Sequence, residues 1–252
     1  MSQRFVVDRF DSDPGFSELT SSMARCITAM MGLPAASTLE EIFSNRALCE
    51  QLQTDHALRG RIYKTLPALA SVQQFCVSNA HVLGALTKLS GFSSDSFVAL
   101  NVNVRMDFPS KTLQDAHNLD VHQDFHYTNP FVTAKNSFVL WMPLISLDPA
   151  TGGLFFDDSL EGVDGAVAHV PIHRTISQAP HWLIPESIRK TRVFGEKYLR
   201  KGEFMVFDMR HMHASQRNTH AHYPRLTLQC RYTSYLEEGF LAYQSALPVA
   251  AA

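Results

Sequence analysis

The chain has 252 residues, 45% of them hydrophobic and 18% charged, with a formal net charge of −2; that is enough chain for one sizeable core and too little charge for a polyanion-binding field, so neither nucleic acid nor membrane is expected as a partner. No stretch approaches the roughly 18 apolar residues of a membrane span, and the N-terminal MSQRFVVDRFDSDPG lacks the apolar run of a secretory signal. Cys26, Cys49, Cys76 and Cys230 show no CxxC spacing, which reads as reduced thiols in a cytoplasmic protein and not as disulfides or a zinc site.

In chain order, the first ninety or so residues read as helices. STLEEIFSNRALCEQL opens with Thr38 and Glu41 in capping-box spacing and places Leu39, Ile42, Phe43 and Leu52 near one face, which predicts a single helix. SNAHVLGALTKLSG repeats the pattern with Val82, Leu83, Leu86 and Leu89, and Gly91 stands where a C-terminal cap belongs. From residue 95 the period changes to two. In DSFVALNVNVRMDFP, Val98, Leu100, Val102, Val104 and Met106 alternate with Ala99, Asn101, Asn103 and Arg105. Further strands are predicted at NSFVLWMPL, GGLFF, AVAHVPI, GEFMVFD and PRLTLQCRYT. No repeat or flexible linker divides the chain, so one domain is expected over 1–252: a mostly helical layer to residue 94, a β core over 95–235 and a tail over 236–252. KTLQDAHNLD, before the next motif, reads as a loop suited to a lid.

VHQDFHYTNP carries the first chemistry. On an extended segment His122, Asp124 and His126 leave one face. His122 and Asp124 are about 6.6 Å apart along the strand, near enough to converge on one ion, whereas His126 is about 13 Å from His122 and is expected beside the site, toward substrate. A third ligand must come from elsewhere, and GEFMVFDMRHMHASQRN offers His211 and His213. Two histidines and a carboxylate suit a non-haem Fe(II) oxygenase with open coordination positions, and they also suit a zinc hydrolase. In PRLTLQCRYT, Arg225, Thr227, Gln229 and Arg231 share the polar face. A guanidinium fork two positions from a hydroxyl is suited to bidentate capture of a carboxylate, so a dicarboxylate co-substrate would fit there. Asn103 and Arg105 face the same way on the earlier strand and are candidates for the substrate side. His169, His173, His181, His220 and His222 read as loop residues.

HQDFHY, WMPLISLDPATGGL, GEFMVFDMRHMHASQRN and PRLTLQCRY together resemble the phytanoyl-CoA dioxygenase family, over residues from about 97 to 233. The family's His-x-Asp pair falls on His122 and Asp124, its tryptophan strand on Trp141, its Gly-Glu strand on Gly202 and Glu203, its His-x-Ser-x-x-Asn on His213, Ser215 and Asn218, and its following arginine on Arg225. Where the family often reads Pro-Gly-Ser-His, this chain has Asp157, Asp158, Ser159 and Leu160, so the substrate-side loop is expected to differ. The resemblance implies a double-stranded β-helix, a cupin-like jelly roll, that oxidises a small-molecule substrate with Fe(II), 2-oxoglutarate and O2. It also implies His122, Asp124 and His213 as metal ligands, with Arg225, Thr227 and Trp141 around 2-oxoglutarate. A non-catalytic jelly-roll binding module and a zinc-dependent hydrolase are the alternatives. The sequence carries no signal for oligomeric state or for the identity of the substrate.

Overall fold

A computed structural model describes residues 5–10, 12–35, 38–110, 120–124, 136–159, 167–172 and 181–235. A short strand β1 (Phe5–Arg9) precedes six helices: α1 (Pro14–Met30), α2 (Leu39–Ser44), α3 (Arg46–Thr54), α4 (His56–Thr65), α5 (Ala70–Ser78) and α6 (Ala80–Ser90). There follow β2 (Phe97–Asp107), β3 (Ser137–Pro143), β4 (Leu154–Asp157), β5 (Val170–Ile172), β6 (His181–Leu183), α7 (Glu186–Arg189), β7 (Phe194–Lys197), β8 (Glu203–Asp208), β9 (His213–Ser215) and β10 (Arg225–Ser234). The class is mixed α+β with antiparallel pairing throughout the described strands.

The helical layer follows the local rules. The capping box forms, with Thr38 Oγ1 accepting from Glu41 N and Glu41 accepting from Thr38 N, both at 3.2 Å. The single helix expected after it is broken. Asn45 leaves the helical region (ψ 107°) and turns its side chain onto Leu48 N, ending α2 and capping α3. An asparagine that can satisfy an orphan N–H competes with helix continuation. Gly91 caps α6 at φ +78°, as the spacing predicts. Asp13 caps α1 by accepting from Phe16 N, and its other oxygen accepts from Asn79 Nδ2, the cap of α6, which ties the two helix starts together.

A five-stranded sheet, in the order β1-β8-β3-β10-β2, and a three-stranded sheet, β7-β4-β9, form the β part, with β5-β6 as a separate pair. Strand alternation divides the large sheet cleanly. Phe138, Leu140, Met142, Phe204, Val206, Leu226, Leu228, Cys230 and Tyr232 face the helices in one buried cluster. Val139, Trp141, Met205 and Phe207 face the other way and pack with Leu154 and Phe156 of the small sheet. Each such buried side chain contributes about 1.5–3 kcal/mol, so a one-residue slip of β3 or β10 would lose both clusters at once. Polar residues of β10 with odd numbers are therefore held between the two sheets. The four cysteines are free. No helix of the described residues is long and apolar enough to cross a membrane. The strands at Phe5–Arg9, His181–Leu183, Phe194–Lys197 and His213–Ser215 are not among those expected from sequence; at three to five residues they are too short for a period to register clearly.

Candidate metal centre

The His-x-Asp segment is not a full strand. His122 makes an isolated antiparallel bridge with His213, with N–H to carbonyl bonds of 2.9 and 3.0 Å in the two directions. His213 itself opens β9, opposite Phe156 of β4. Two segments remote in sequence are thus joined backbone to backbone at the very residues whose side chains matter. His122, Asp124 and His213 are all buried, and one ligand atom from each lies within 4.8 Å of the others. Asp124 Oδ2 is 3.4 Å from His213 Nε2, close to the roughly 3 Å that separates neighbouring donors when metal bonds are near 2 Å.

The imidazoles are oriented from behind. His122 Nδ1 bonds the Asp120 carbonyl at 2.6 Å and His213 Nδ1 bonds the His211 carbonyl at 3.0 Å. With Nδ1 serving as the donor, each ring keeps Nε2 as the lone-pair nitrogen, the tautomer a metal requires. Burial drives the His122 pKa down to about 3, helped by the neighbouring His213, and burial also lowers His213. Burial alone would raise Asp124, but the Arg231 guanidinium and the two histidines hold it below the usual carboxylate range. Two neutral imidazoles and a carboxylate are the protonation states that bind a divalent cation without first releasing protons. Phe207 packs edge-on against the His213 ring at 4.8 Å between centroids, fixing it from the core side.

Arg225 is only 1% exposed and already engaged. Its Nε and Nη2 donate to Asp107 Oδ2 at 3.1 and 2.6 Å, and its Nη1 donates to the Gly153 and Gln216 carbonyls, both at 3.0 Å. Four of the five N–H groups of the guanidinium are thereby used, so the bidentate grip expected from sequence is already closed on Asp107. Asp107 also accepts from Arg105 Nε at 3.0 Å, and the two guanidiniums hold its carboxyl below its ordinary value against the effect of burial. Two cations around one anion leave a net positive charge at this end of the interior. Thr227, next on the same face, buries its hydroxyl with no hydrogen-bond partner among the described residues.

Between these groups lies a cavity of about 10 Å³ lined by His122, Asp124, Trp141, Leu154, His213, Ser215 and Gln229, among others. That is room for about one water molecule. Leu154 and Ser215 adjoin Gly153 and Gln216, so the cavity runs from the three clustered side chains toward Arg225. Gly153 is required where it stands: a Cβ there would meet the Lys197 carbonyl oxygen at 2.1 Å.

The structure therefore brings His122, Asp124, His213 and Trp141 to one cavity, and places Arg225 and Thr227 beyond its Ser215 end. Arg105 joins this set through Asp107, while Asn103 bonds Asn101 at 2.6 Å on the half-exposed part of β2. His126, His173 and most of the KTLQDAHNLD segment lie outside the described residues, as does Leu160 of the divergent loop. His211 turns to the Asp157 carbonyl at 2.8 Å and stacks on Phe156 at 4.0 Å between centroids, apart from the three clustered side chains. His169 is more than a loop residue, since its Nε2 accepts from Gln123 N at 3.0 Å. Sequence reading did not single out Asp107, Gln123 or Arg231's contact with Asp124. Asp107 was legible in principle, because it shares strand parity with Asn103 and Arg105; Gln123 carries no sequence signal.

No protein-family model matches the sequence, and no curated protein matches it. Solved structures share its fold. A chain described as the non-heme monooxygenase ThoJ, in its apo form, matches with a TM-score of 0.53 and 16% identity over 93% of this chain and 75% of its own. The non-heme alpha ketoglutarate dependent epimerase SnoN from nogalamycin biosynthesis matches with a TM-score of 0.54 and 16% identity, covering 100% of this chain and 87% of its own. The same epimerase in complex with Fe3+, alpha ketoglutarate and nogalamycin RO gives 0.52 and 13%, over 100% of this chain and 88% of its own.

Proposed function

We propose that the protein is an Fe(II)- and 2-oxoglutarate-dependent oxygenase with a double-stranded β-helix core, acting on an aliphatic C–H of a small molecule. The observation that carries this is the buried convergence of His122, Asp124 and His213, each in the protonation state a divalent metal needs. The likeness in fold to non-haem iron proteins, one of them an iron and alpha ketoglutarate complex, supports the choice of iron over zinc.

His122 Nε2, Asp124 and His213 Nε2 would hold the metal, and a set of three protein ligands would leave it able to take co-substrate and oxygen. Bound iron supplies the oxidation of 2-oxoglutarate to succinate and CO2 and the activation of O2 toward a substrate C–H. The chain's own part is position and dryness. The backbone bridge between His122 and His213 fixes ligand spacing, and Phe207, Leu154 and Trp141 exclude water from the ligands. The far carboxylate of 2-oxoglutarate would take the remaining Nη2 hydrogen of Arg225 and the buried hydroxyl of Thr227, drawn by the net positive charge of Arg105, Arg225 and Asp107. Since the cavity holds about one water, the co-substrate enters only as its walls part. Because Asp124 is a carboxylate, no ligand position is left over for a halide, which favours hydroxylation over halogenation.

Anaerobic Fe(II) with 2-oxoglutarate is expected to give the weak visible band of a chelated complex, and oxygen is then expected to yield succinate. His213→Ala should lose stoichiometric iron while His211→Ala keeps it. Absence of the band in protein carrying one iron per chain refutes the co-substrate assignment. A product of unchanged mass and inverted configuration, in place of one heavier by an oxygen, would move the assignment to an epimerase.

A further inference from the structure

Asp124 uses its two oxygens for different partners. Oδ1 accepts from Arg231 Nη2 at 2.5 Å, while Oδ2 is the oxygen that faces His213 Nε2 at 3.4 Å. Both side chains are nearly buried, with Arg231 13% and Asp124 6% exposed. Arg231 reaches the site from β10, where it stands opposite Asn101 of β2 and Val139 of β3, and the register of the β2-β10 pair shifts immediately after it. Its position is therefore set by the strand on both sides, and the ordinary alternation of β10 sends the next residue, Tyr232, to the helix side, where its hydroxyl donates to the Cys76 carbonyl at 2.7 Å; the extra residue at the register shift, Leu100, lies in β2.

We propose that Arg231 is a positioning residue for the metal: it holds Oδ1 of Asp124 so that the carboxylate binds through Oδ2 alone, and its fixed charge favours the divalent over the trivalent ion. The inference rests on the metal-centre reading above. A carboxylate free at both oxygens can close on a metal in bidentate fashion and occupy a position that a co-substrate needs. A charge-assisted bond to one oxygen removes that option. The same guanidinium sits one carboxylate away from the ion, in an interior where charges are poorly screened. A cation there disfavours an added positive charge on the metal, which raises the reduction potential and protects the resting Fe(II) state. This differs from the part assigned to Arg225, whose partners are Asp107 and two backbone carbonyls.

The test uses Arg231→Gln and Arg231→Met, both purified with metal bound so that the loss of Asp124's partner is offset during folding. Three quantities are read: the Fe(III)/Fe(II) midpoint potential, the ligand-field spectrum of the Co(II)-substituted protein, and 2-oxoglutarate affinity of the metal-loaded protein. Both variants are expected to show a lower potential and a Co(II) spectrum altered toward higher coordination number, while Arg231→Lys keeps the potential near wild type. A purely structural role would move stability but neither of the first two readings. Unchanged potential and unchanged Co(II) spectrum in the folded variants overturn the inference. Loss of 2-oxoglutarate affinity with both readings unchanged overturns it in another way, by making Arg231 the co-substrate's partner. Wild-type protein that binds neither Fe(II) nor Co(II) would overturn the metal centre itself and this inference with it.

Discussion

Arg225→Met separates two roles that the sequence alone merges. The substitution keeps volume but removes a buried guanidinium with four hydrogen bonds. Asp107 retains Arg105, so it is not stranded as a lone buried anion. The Gly153 and Gln216 carbonyls lose their donor, at roughly 1–3 kcal/mol for each buried group left unsatisfied. Stranding a buried charge by removing its sole partner costs about 3–5 kcal/mol, but Arg105 spares Asp107 most of that, so the two carbonyls dominate the cost. We expect about 4 kcal/mol, reduced little by solvent because the side chain is 1% exposed. For a chain of this length that corresponds to a fall in Tm of roughly 8–16 °C. Urea unfolding monitored by circular dichroism, with and without 2-oxoglutarate, is the assay. A variant of near wild-type stability that had lost only its affinity for 2-oxoglutarate would refute the reasoning, because it would mean that the four bonds add little to the stability of the folded chain.

Thr227→Val removes a buried hydroxyl that has no partner, so the free protein should be as stable or up to about 1 kcal/mol more stable, while the apparent affinity for 2-oxoglutarate falls; a destabilised variant with intact affinity would contradict the assignment. Asp107 titrates below its ordinary value when folded, so its contribution to stability is complete above the unfolded value of about 3.9 and is lost as pH falls through the folded value. Unfolding free energies measured from about pH 6 down to about pH 3 should therefore fall less steeply in Asp107→Asn than in wild type.

What the sequence discloses is what period and spacing can carry. The alternation in PRLTLQCRYT names the two faces of β10 correctly, because its even-numbered residues are buried against the helices; in NSFVLWMPL the run FVLWM is apolar on both faces and β3 is buried throughout, so no alternation assigns its faces. Thr38 and Glu41 mark a helix start, again for a local reason. Asn45 shows the limit: its helix is interrupted by a side-chain bond that competes on nearly equal terms with one more helical turn. In the candidate site, His122, Asp124 and His213 come together as the family resemblance implies. Arg225 does not stand open as a fork, because the competing partner, Asp107, is more than a hundred residues away and is brought opposite only by strand pairing. The closed cavity is equally illegible, since it depends on how two sheets approach each other.

The residue between the paired ligands is the least free position in the motif. Gln123 points away from the cavity and is wholly buried. Its amide nitrogen donates to the Arg210 carbonyl at 2.5 Å, its amide oxygen accepts from Val167 N at 2.9 Å, and its backbone N–H is held by His169. The variable letter of a His-x-Asp signature is here a three-way rivet joining the ligand turn, the segment around residue 168 and the approach to β9. Anyone grafting this motif into another scaffold, or diversifying the neighbouring loop to change what the protein accepts, would have to carry the glutamine and both of its anchorages along. Without them the two ligands would keep their spelling and lose their aim.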